Sequence, residues 1–434
     1  MKYTVNKTNY NDFTVYEINK LSGRGYAIPY SSKDILAKTS FKKERNSSDI
    51  VRVLSGKWQF RYFKSRNDMP DVIDTDIEAF QTVKVPSTWQ RTGYDAPAYI
   101  NCPYAFDDKP PYVPEEQPVG VYRKTFDIEN TDKVYIISFL GVISCLDLYV
   151  NGEFVGYSEG AHNTAEFDIT KYLNKGENEI LAVVHKWSNG TFLECQDMFR
   201  ENGIFRDVLL YEMPQTYLYD VYYRTKETSK GWNLDINLSL VGDTDGFTVC
   251  AEIYNEKNKL VASKSVGIAN ETVVSFKNLD VTAWNAEIPT LYTAYVTLYS
   301  GENEVMSTRN YIGFKTVKIK KDIFTVNGKK IKVKGVNHHD THYKNGYVMS
   351  FDDMEKDRKA FIEKSIKNDK ELIENASRKF HNIGSIFISE DLTDEQTTAT
   401  ISAAFGCDRQ AAAAMRKKRN PCLPWQAGCP QGCG

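Results

Sequence analysis

CLDLYVNGEFVGYSEG, residues 145–160, is the stretch that decides the fold class. Two runs in which apolar and polar residues tend to alternate flank Asn151 and Gly152. Both of these residues tolerate a positive φ, and Asn-Gly between two such runs is the strongest short-range signal for a two-residue β-hairpin. The centre of the first domain is therefore predicted to be antiparallel β-structure.

Similar short runs, rich in Val, Ile, Tyr and Phe and separated by Gly, Asn and Asp, extend on both sides of this hairpin. Such spacing is typical of a sandwich or barrel of antiparallel strands. It predicts one large β-sandwich over residues 51–214, preceded by a polar N-terminal arm at residues 1–50 that lies over other domains. The clearest runs are KWQFRYF (57–63), GVYRKTFDI (120–128), KVYIISFLG (133–141) and EILAVVHKW (179–187).

A second series of strand-like runs begins near Tyr217. About seven strands in about 100 residues, without a cysteine pair placed to join two sheets, predict an immunoglobulin-like sandwich at residues 215–315. A further Asn-Gly hairpin at Asn327 and Gly328 then leads into a strand, IKVKGVN (331–337).

The segment GVNHHDTHYKNGYVMSFDDMEKD, residues 335–357, has the pattern of a buried strand, a polar loop and a helix start. Ser350 with Asp353 three residues later is a plausible capping box. This pattern predicts the start of a (β/α)₈ barrel at residues 316–357. Only 77 residues follow Asp357, whereas such a barrel takes about 250 residues in all.

Residues 358–434 change in character, and they are expected to form an unrelated tail, partly helical and partly disordered. The tail ends in the Pro-, Gly- and Cys-rich stretch NPCLPWQAGCPQGCG. The spacing of its cysteines lacks a paired C-x₂-C, and no histidine follows His381, so a zinc site is disfavoured. The four earlier cysteines are expected to be reduced thiols; they are Cys102, Cys145, Cys195 and Cys250.

Composition excludes several classes of function. The chain has 434 residues, with 55 Lys and Arg against 57 Asp and Glu, a formal net charge of −2. This balance offers no electrostatic basis for binding nucleic acid or a membrane surface. We see no signal-peptide pattern at the N-terminus and no stretch near the ~20 apolar residues of a membrane span. The sequence therefore predicts a soluble, cytoplasmic protein.

Four stretches together carry a family resemblance: residues 85–126, which include DDKPPYVP; residues 147–208, which include QDMFRENGIFRDV; the pair IPTLYTAYVTLYS and RNYIGFKTV; and the barrel-like segment at 335–357. Over about residues 12–357 the chain resembles glycoside hydrolase family 2, most closely its β-galactosidases. The resemblance implies a mainly β fold, with a jelly-roll sugar-binding-type β-sandwich, an immunoglobulin-like β-sandwich and the first strand and helix of a TIM barrel.

The implied activity is retaining hydrolysis of terminal non-reducing β-D-galactose residues, in carbohydrate metabolism. β-Glucuronidase and β-mannosidase are weaker candidates within the family. The resemblance also implies that His339, in GVNHHD, supports the sugar in the transition state, and that Asp197, in LECQDMF, binds galactose and a sodium ion. The family uses magnesium as well as sodium, but most ligands come from barrel segments that the resemblance does not cover.

Three positions depart from the family pattern. His338 stands where arginine is frequent, Cys195 where an acidic residue is frequent, and Lys109 where Asn or Asp contacts the sugar. Since lysine donates but does not accept hydrogen bonds, Lys109 is not carried over as a sugar ligand, although Asp108 is a neighbour able to substitute. Among nearby aromatic residues, Trp89 and Trp187 are expected in the core and Phe199 near the sugar.

A retaining glycosidase also needs two carboxylates about 5–5.5 Å apart. Five glutamates lie beyond residue 357, and none stands in the strand-end setting that the family uses: Glu363, Glu371, Glu374, Glu390 and Glu395. The chain is therefore expected to lack both catalytic glutamates and to be inactive alone, with weak binding of galactose or a β-galactoside at best. The alternative is a non-catalytic carbohydrate-binding or fragment-complementing module. Self-association through unpaired barrel strands is also expected.

Overall fold

The computed structural model describes residues 1–99, 106–107, 109–194, 198–286, 288–331 and 339–365. The fold is mainly β, as predicted, with short helices at Lys33–Ala37 (α1), Glu44–Ser47 (α2) and Thr191–Glu194 (α3) and a longer one at Phe351–Ser365 (α4). Within these ranges, no helix has the length and apolar character needed to cross a membrane.

Two packed sheets form the predicted jelly-roll sandwich. The larger sheet has seven strands in the order β2-β12-β11-β14-β8-β4-β6, and the smaller has four in the order β13-β9-β17-β3. The strands of this domain are β1 Lys2–Thr4, β2 Glu17–Ile18, β3 Val51–Val53, β4 Gly56–Phe63, β5 Val72–Asp74, β6 Gln81–Val85, β7 Ala98–Tyr99, β8 Val119–Ile128, β9 Val134–Phe139, β10 Val142–Ile143, β11 Cys145–Val150, β12 Glu153–Glu159, β13 Ala165–Asp168, β14 Gly176–His185, β15 Phe199–Arg200, β16 Gly203–Ile204 and β17 Val208–Met213.

The hairpin at Asn151 and Gly152 joins β11 to β12, as the sequence predicted. Both residues have positive φ, 51° and 92°, and Val150 pairs directly with Glu153. Every residue of β11 is buried, although the sequence suggests one polar face. The N-terminal arm covers that face, with Tyr3 and Val5 packed in the same cluster as Tyr149.

The second sandwich has the seven strands expected of an immunoglobulin-like domain. Sheets of three strands (β18-β19-β22) and four strands (β21-β20-β23-β24) enclose its core. The arm is tied to this domain by a buried ion pair in which Arg309 Nη2 lies 2.6 Å from Glu44 Oε1. The strands are β18 Tyr217–Thr228, β19 Gly231–Val241, β20 Phe247–Tyr254, β21 Leu260–Gly267, β22 Glu271–Leu279, β23 Tyr292–Ser300 and β24 Asn303–Ile312.

A three-stranded sheet follows, formed by β25 Val317–Lys320, β26 Ile323–Val326 and β27 Lys329–Lys330. Its second turn is the predicted hairpin, with φ of 49° at Asn327 and 74° at Gly328. The strand predicted at 331–337 lies outside the described residues except for Ile331. The described ranges contain no closed barrel, and residues 366–434, where most of the tail was predicted, also lie outside them.

Helix α4 begins at the capping box predicted from the sequence. The amide of Asp353 donates to Ser350 Oγ at 3.1 Å, and the amide of Ser350 donates back to Asp353 Oδ2 at 3.3 Å. This reciprocal pattern satisfies two amides that a helix N-terminus otherwise leaves unpaired. The box therefore fixes where the polar loop ends and the helix starts.

Candidate functional site

A cleft of about 660 Å³ lies where three parts of the chain meet. The arm contributes residues 41, 42 and 44–46, the sandwich contributes His162 and Phe205, and the segment from 339 to 354 closes the third side. His339, the residue predicted to support the sugar, is half-buried and lines this cleft. The fold thus places it opposite loops of the jelly-roll domain.

An aromatic cluster forms the inner wall of the cleft. The Tyr347 ring lies 5.7 Å from Phe205 and 6.2 Å from His162, between centroids. The Tyr347 hydroxyl donates to the carbonyl of Phe199. Apolar edges beside hydrogen-bonding groups are typical of small-molecule sites, so this wall has the composition expected of a sugar site.

A second, smaller cavity of about 40 Å³ adjoins the first. His162, Met198 and Tyr347 line both cavities. Glu194, also in the smaller cavity, and Met198 are the described residues on either side of Asp197. Asp197 itself lies outside the described residues, so its role remains a prediction. The described residues on either side of it line the smaller cavity, which Tyr347 also lines.

Burial and neighbouring charges favour a neutral His162 in the wall of the cleft. Burial lowers the pKa of His162, and the charges of Arg206 and His339 lower it further. Burial also lowers the pKa of Arg206, whose guanidinium donates to the carbonyl of His162 at 3.1 Å. A neutral imidazole can accept as well as donate a hydrogen bond, which suits a ligand that carries hydroxyl groups.

Two half-buried carboxyls near the smaller cavity, Glu159 and Glu194, were not singled out from the sequence. Burial raises the pKa of Glu159 to about 7, and the nearby charge of Glu194 contributes. Burial likewise raises the pKa of Glu194. Each carboxylate accepts from a backbone amide, Glu159 from Gly190 at 2.9 Å and Glu194 from Ala161 at 2.7 Å. These hydrogen bonds give both carboxylates a structural role, because they hold the loops that border the cavity.

Of the other residues named from the sequence, two lie in the core and two are exposed. Trp89 and Trp187 are buried, 1% and 8% exposed, as expected of core residues. Phe199 is 43% exposed, and its ring lies 5.5 Å from that of Tyr99. Lys109 is exposed. Asp108, Cys195 and His338 lie outside the described residues.

The metals implied by the family find no ligand set in the described ranges. Within them, no group of three or more His, Cys, Asp or Glu side chains is arranged to hold an ion. The described residues therefore do not fit a sodium or magnesium site.

Glu201 is a further site residue that the sequence did not indicate. Its carboxylate is fully buried and contacts both Arg91 of the sandwich and the backbone of Tyr347 across the cleft. In the sequence it stands in the polar run FRENG, where nothing distinguishes it from a solvated surface glutamate. Only the folded arrangement shows that it joins two parts of the site.

Three sequence profiles match the chain in succession. The profile described as "Glycosyl hydrolases family 2, sugar binding domain" matches residues 51–214. "Glycosyl hydrolases family 2" matches 216–315, and "Glycosyl hydrolases family 2, TIM barrel domain" matches 317–370. The chain belongs to glycoside hydrolase family 2. The cleft therefore lies between the family's sugar-binding domain and the start of its barrel domain.

The chain is similar to curated β-galactosidases. The protein from Actinobacillus pleuropneumoniae is 36% identical over 348 residues, covering 80% of this chain and 33% of the relative. The one from Leuconostoc mesenteroides is 37% identical over 334 residues, covering 71% of this chain and 32% of the relative. The chain thus spans about a third of the length of the curated relatives it matches.

Solved structures of β-glucuronidases support the fold. A Bifidobacterium dentium β-glucuronidase, complexed with coumarin-3-O-glucuronide, gives a TM-score of 0.56 at 20% identity and covers 74% of this chain and 56% of its own. A Bacteroides uniformis β-glucuronidase gives 0.58 at 19% identity and covers 73% and 38%. At this identity the likeness concerns the fold and not the substrate.

Proposed function

We propose that this chain forms the sugar-recognition side of a retaining β-galactosidase and that by itself it does not hydrolyse β-galactosides. The observation that carries the proposal is the shared wall at Tyr347. The loop that bears Asp197 and the segment that bears His339 border adjoining cavities, where hydroxyl-binding groups stand beside aromatic rings. The curated relatives favour galactose as the sugar.

The proposed lack of turnover follows from chemistry. His339 and Asp197 contact substrate, whereas cleavage needs a general acid/base and a nucleophile on opposite sides of the anomeric carbon. Two of the three described carboxylates that line the cleft are paired, Glu44 with Arg309 and Asp207 with Arg45. The third, Asp340, interacts with the charge of Arg206. General acid/base assistance alone contributes about 10²–10⁴-fold to a rate, so binding groups do not replace it.

Turnover is tested with the 434-residue chain purified from a host that lacks its own β-galactosidase, using a nitrophenyl β-galactoside. We expect no hydrolysis above background. Hydrolysis that disappears on changing any of the five C-terminal glutamates to glutamine would show that the chain supplies a catalytic carboxylate, and the proposal would be wrong. Those variants are Glu363→Gln, Glu371→Gln, Glu374→Gln, Glu390→Gln and Glu395→Gln.

Sugar recognition is tested separately by NMR titration with galactose. We expect millimolar binding at best, because the described cleft is open and solvent weakens its hydrogen bonds. His339→Ala and Asp197→Asn should each weaken it, while Lys318→Ala, on the exposed sheet at 317–330, serves as a control. Equal titration curves for all four proteins would refute the assignment of the site.

The alternative function is a fragment-complementing module. The observation that favours it is the partial coverage of the barrel domain, whose profile matches only residues 317–370. Mixing the chain with the remaining two-thirds of a curated relative, expressed separately, should then restore hydrolysis. A mixture as inactive as either part would exclude complementation with that relative.

A further inference from the structure

Glu201 is held rigidly from the sandwich side. It is 1% exposed, and its Oε1 accepts from Arg91 Nε at 2.6 Å and lies 2.5 Å from Arg91 Nη2. Its Oε2 accepts from Thr88 Oγ1 at 2.9 Å. A buried carboxylate is tolerated when its charge and lone pairs are matched in this way. Its position is therefore set by the jelly-roll domain alone.

The same carboxylate meets the barrel-start segment on its other side. The amide of Tyr347 donates to Glu201 Oε2 at 3.3 Å. Gly346 packs so closely that a Cβ built there would overlap the carboxylate. Gly346 also has a φ of +60°, in the left-handed region that glycine enters at little cost. Two independent features thus require glycine where the segment touches Glu201.

The loop that presents Gly346 is rigid in itself. His342 and Gly346 exchange two backbone hydrogen bonds, of 2.7 and 2.8 Å. His342 Nδ1 accepts from the amides of Lys344 and Asn345, at 3.2 and 3.1 Å. A loop stiffened in this way moves as one body, so the contact at Gly346 also sets the placement of nearby residues, including His339 three residues before His342.

We propose that Glu201 is a positioning residue that docks the loop 342–347 on the sandwich and so holds His339 at the sugar cleft. The importance of His339 rests on the proposed function, but the docking itself does not. The segment has further described ties to the rest of the chain. The Tyr347 hydroxyl donates to the carbonyl of Phe199 and its ring packs on Phe205. The ion pair Lys42–Asp352 has side chains that are 50% and 73% exposed, and exposed pairs contribute little. Glu201 is the buried carboxylate among these contacts.

The test uses Gly346→Ala in the full chain. The added methyl group cannot coexist with the Glu201 carboxylate in its present place, so the loop must move away. The matched control is Gly328→Ala, which has a similar φ of +74° but open space around a Cβ. We expect amide hydrogen exchange across residues 342–350 to accelerate at least about tenfold in Gly346→Ala and to stay unchanged in Gly328→Ala. Equal exchange in the two variants would overturn the proposal.

A second readout follows His162 by NMR. Burial and the charge of His339 both lower the pKa of His162, so undocking of the loop should raise it towards the ordinary histidine value. Gly328→Ala should leave it where it is. A His162 pKa unchanged by Gly346→Ala would contradict the docking role, because a displaced loop removes His339 and the Tyr347 ring from its surroundings.

Glu201 itself is tested through a double-mutant cycle. In a Glu201→Ala background the overlap is gone, so Gly346→Ala should add to exchange at 342–350 only the small effect of its left-handed φ. Additive effects would show that Gly346 is constrained by another contact. Should Glu201→Ala fail to fold, Glu201→Gln keeps the shape but places an NH₂ donor against either Arg91 or the Tyr347 amide. We expect it to accelerate exchange at the loop, and unchanged exchange would contradict the docking role. If the unsubstituted chain does not bind galactose, the proposed function is wrong. The exchange results would still decide whether Glu201 docks the loop.

Discussion

Replacing Asp147 by asparagine should stabilise the protein, and the gain should grow as the pH rises. Asp147 lies on β11, 1% exposed, beneath the N-terminal arm. Its Oδ1 accepts from Asn9 Nδ2 at 3.0 Å, while Oδ2 has no hydrogen-bond partner among the described residues. His185 Nε2 is 3.8 Å from Oδ2, too far for a hydrogen bond.

Burial decides the charge state of this pair. It raises the pKa of Asp147 to about 8. It also lowers the pKa of His185 to about 3, with a further contribution from the charge of Arg66. Although the two side chains are close enough to be counted as an ion pair, both are neutral near pH 7, because desolvation outweighs an attraction across 3.8 Å without a hydrogen bond.

The sign and size of the effect follow from proton linkage. The unfolded carboxyl has a pKa near 3.8, so its folded pKa is raised and the folded state retains a proton that the unfolded state has lost. Stability therefore falls as the pH rises from about 4 to about 8. Each pH unit in this window costs up to about 1.36 kcal/mol, or about 3–4 kcal/mol between pH 5 and pH 8. Asparagine does not ionise, so the Asp147→Asn protein does not lose this stability as the pH rises.

The assay is thermal or urea unfolding of the wild-type chain and Asp147→Asn at pH 5, 6.5 and 8. The difference in melting temperature between the two proteins should increase by about 10 °C from pH 5 to pH 8, at about 2–4 °C per kcal/mol for a domain of this size. Glu179→Gln is the matched control. That buried carboxylate is fully satisfied by Tyr3, Thr75 and Arg123, so its loss should destabilise the protein at every pH. Parallel pH curves for wild type and Asp147→Asn would refute a neutral Asp147.

Three further outcomes are expected. Arg309→Met should destabilise the protein by about 3–5 kcal/mol in urea unfolding, because it leaves the buried Glu44 without its cation; a change below about 1 kcal/mol would contradict this. Limited proteolysis should leave a stable core ending near residues 315–350, and a protease-resistant C-terminus would show that prediction to be wrong. Removing residues 316–434 should reduce light scattering, because it deletes strand edges and exposed apolar side chains at Val317 and Ile319, 51% and 77% exposed. Increased scattering would mean that this part protects the sandwiches.

The local features of the fold could be predicted from the sequence because each depends on residues close together in the chain. Asn-Gly at 151–152 and at 327–328 produced two hairpins, since those residues accept positive φ. Ser350 and Asp353 produced a capping box through bonds that span three residues. The order of two β-sandwiches followed by the start of a barrel could also be predicted, because alternating apolar and polar residues indicate which face of a strand is buried. The roles given to His339 and Asp197 came from resemblance and remain predictions.

The cleft and its supports were decided by tertiary structure alone. Asp147 stands at a position that the local alternation marks as polar and exposed, and it is buried only because the arm, more than 100 residues earlier in the chain, folds over β11. Glu201 acquires its role from Arg91 and Tyr347, which lie 110 and 146 residues away in sequence. A carboxylate's charge, partners and accessibility depend on which groups surround it in space. Local sequence patterns indicate which backbone conformation a segment prefers, whereas the surroundings of a side chain are set by contacts between segments far apart in the chain.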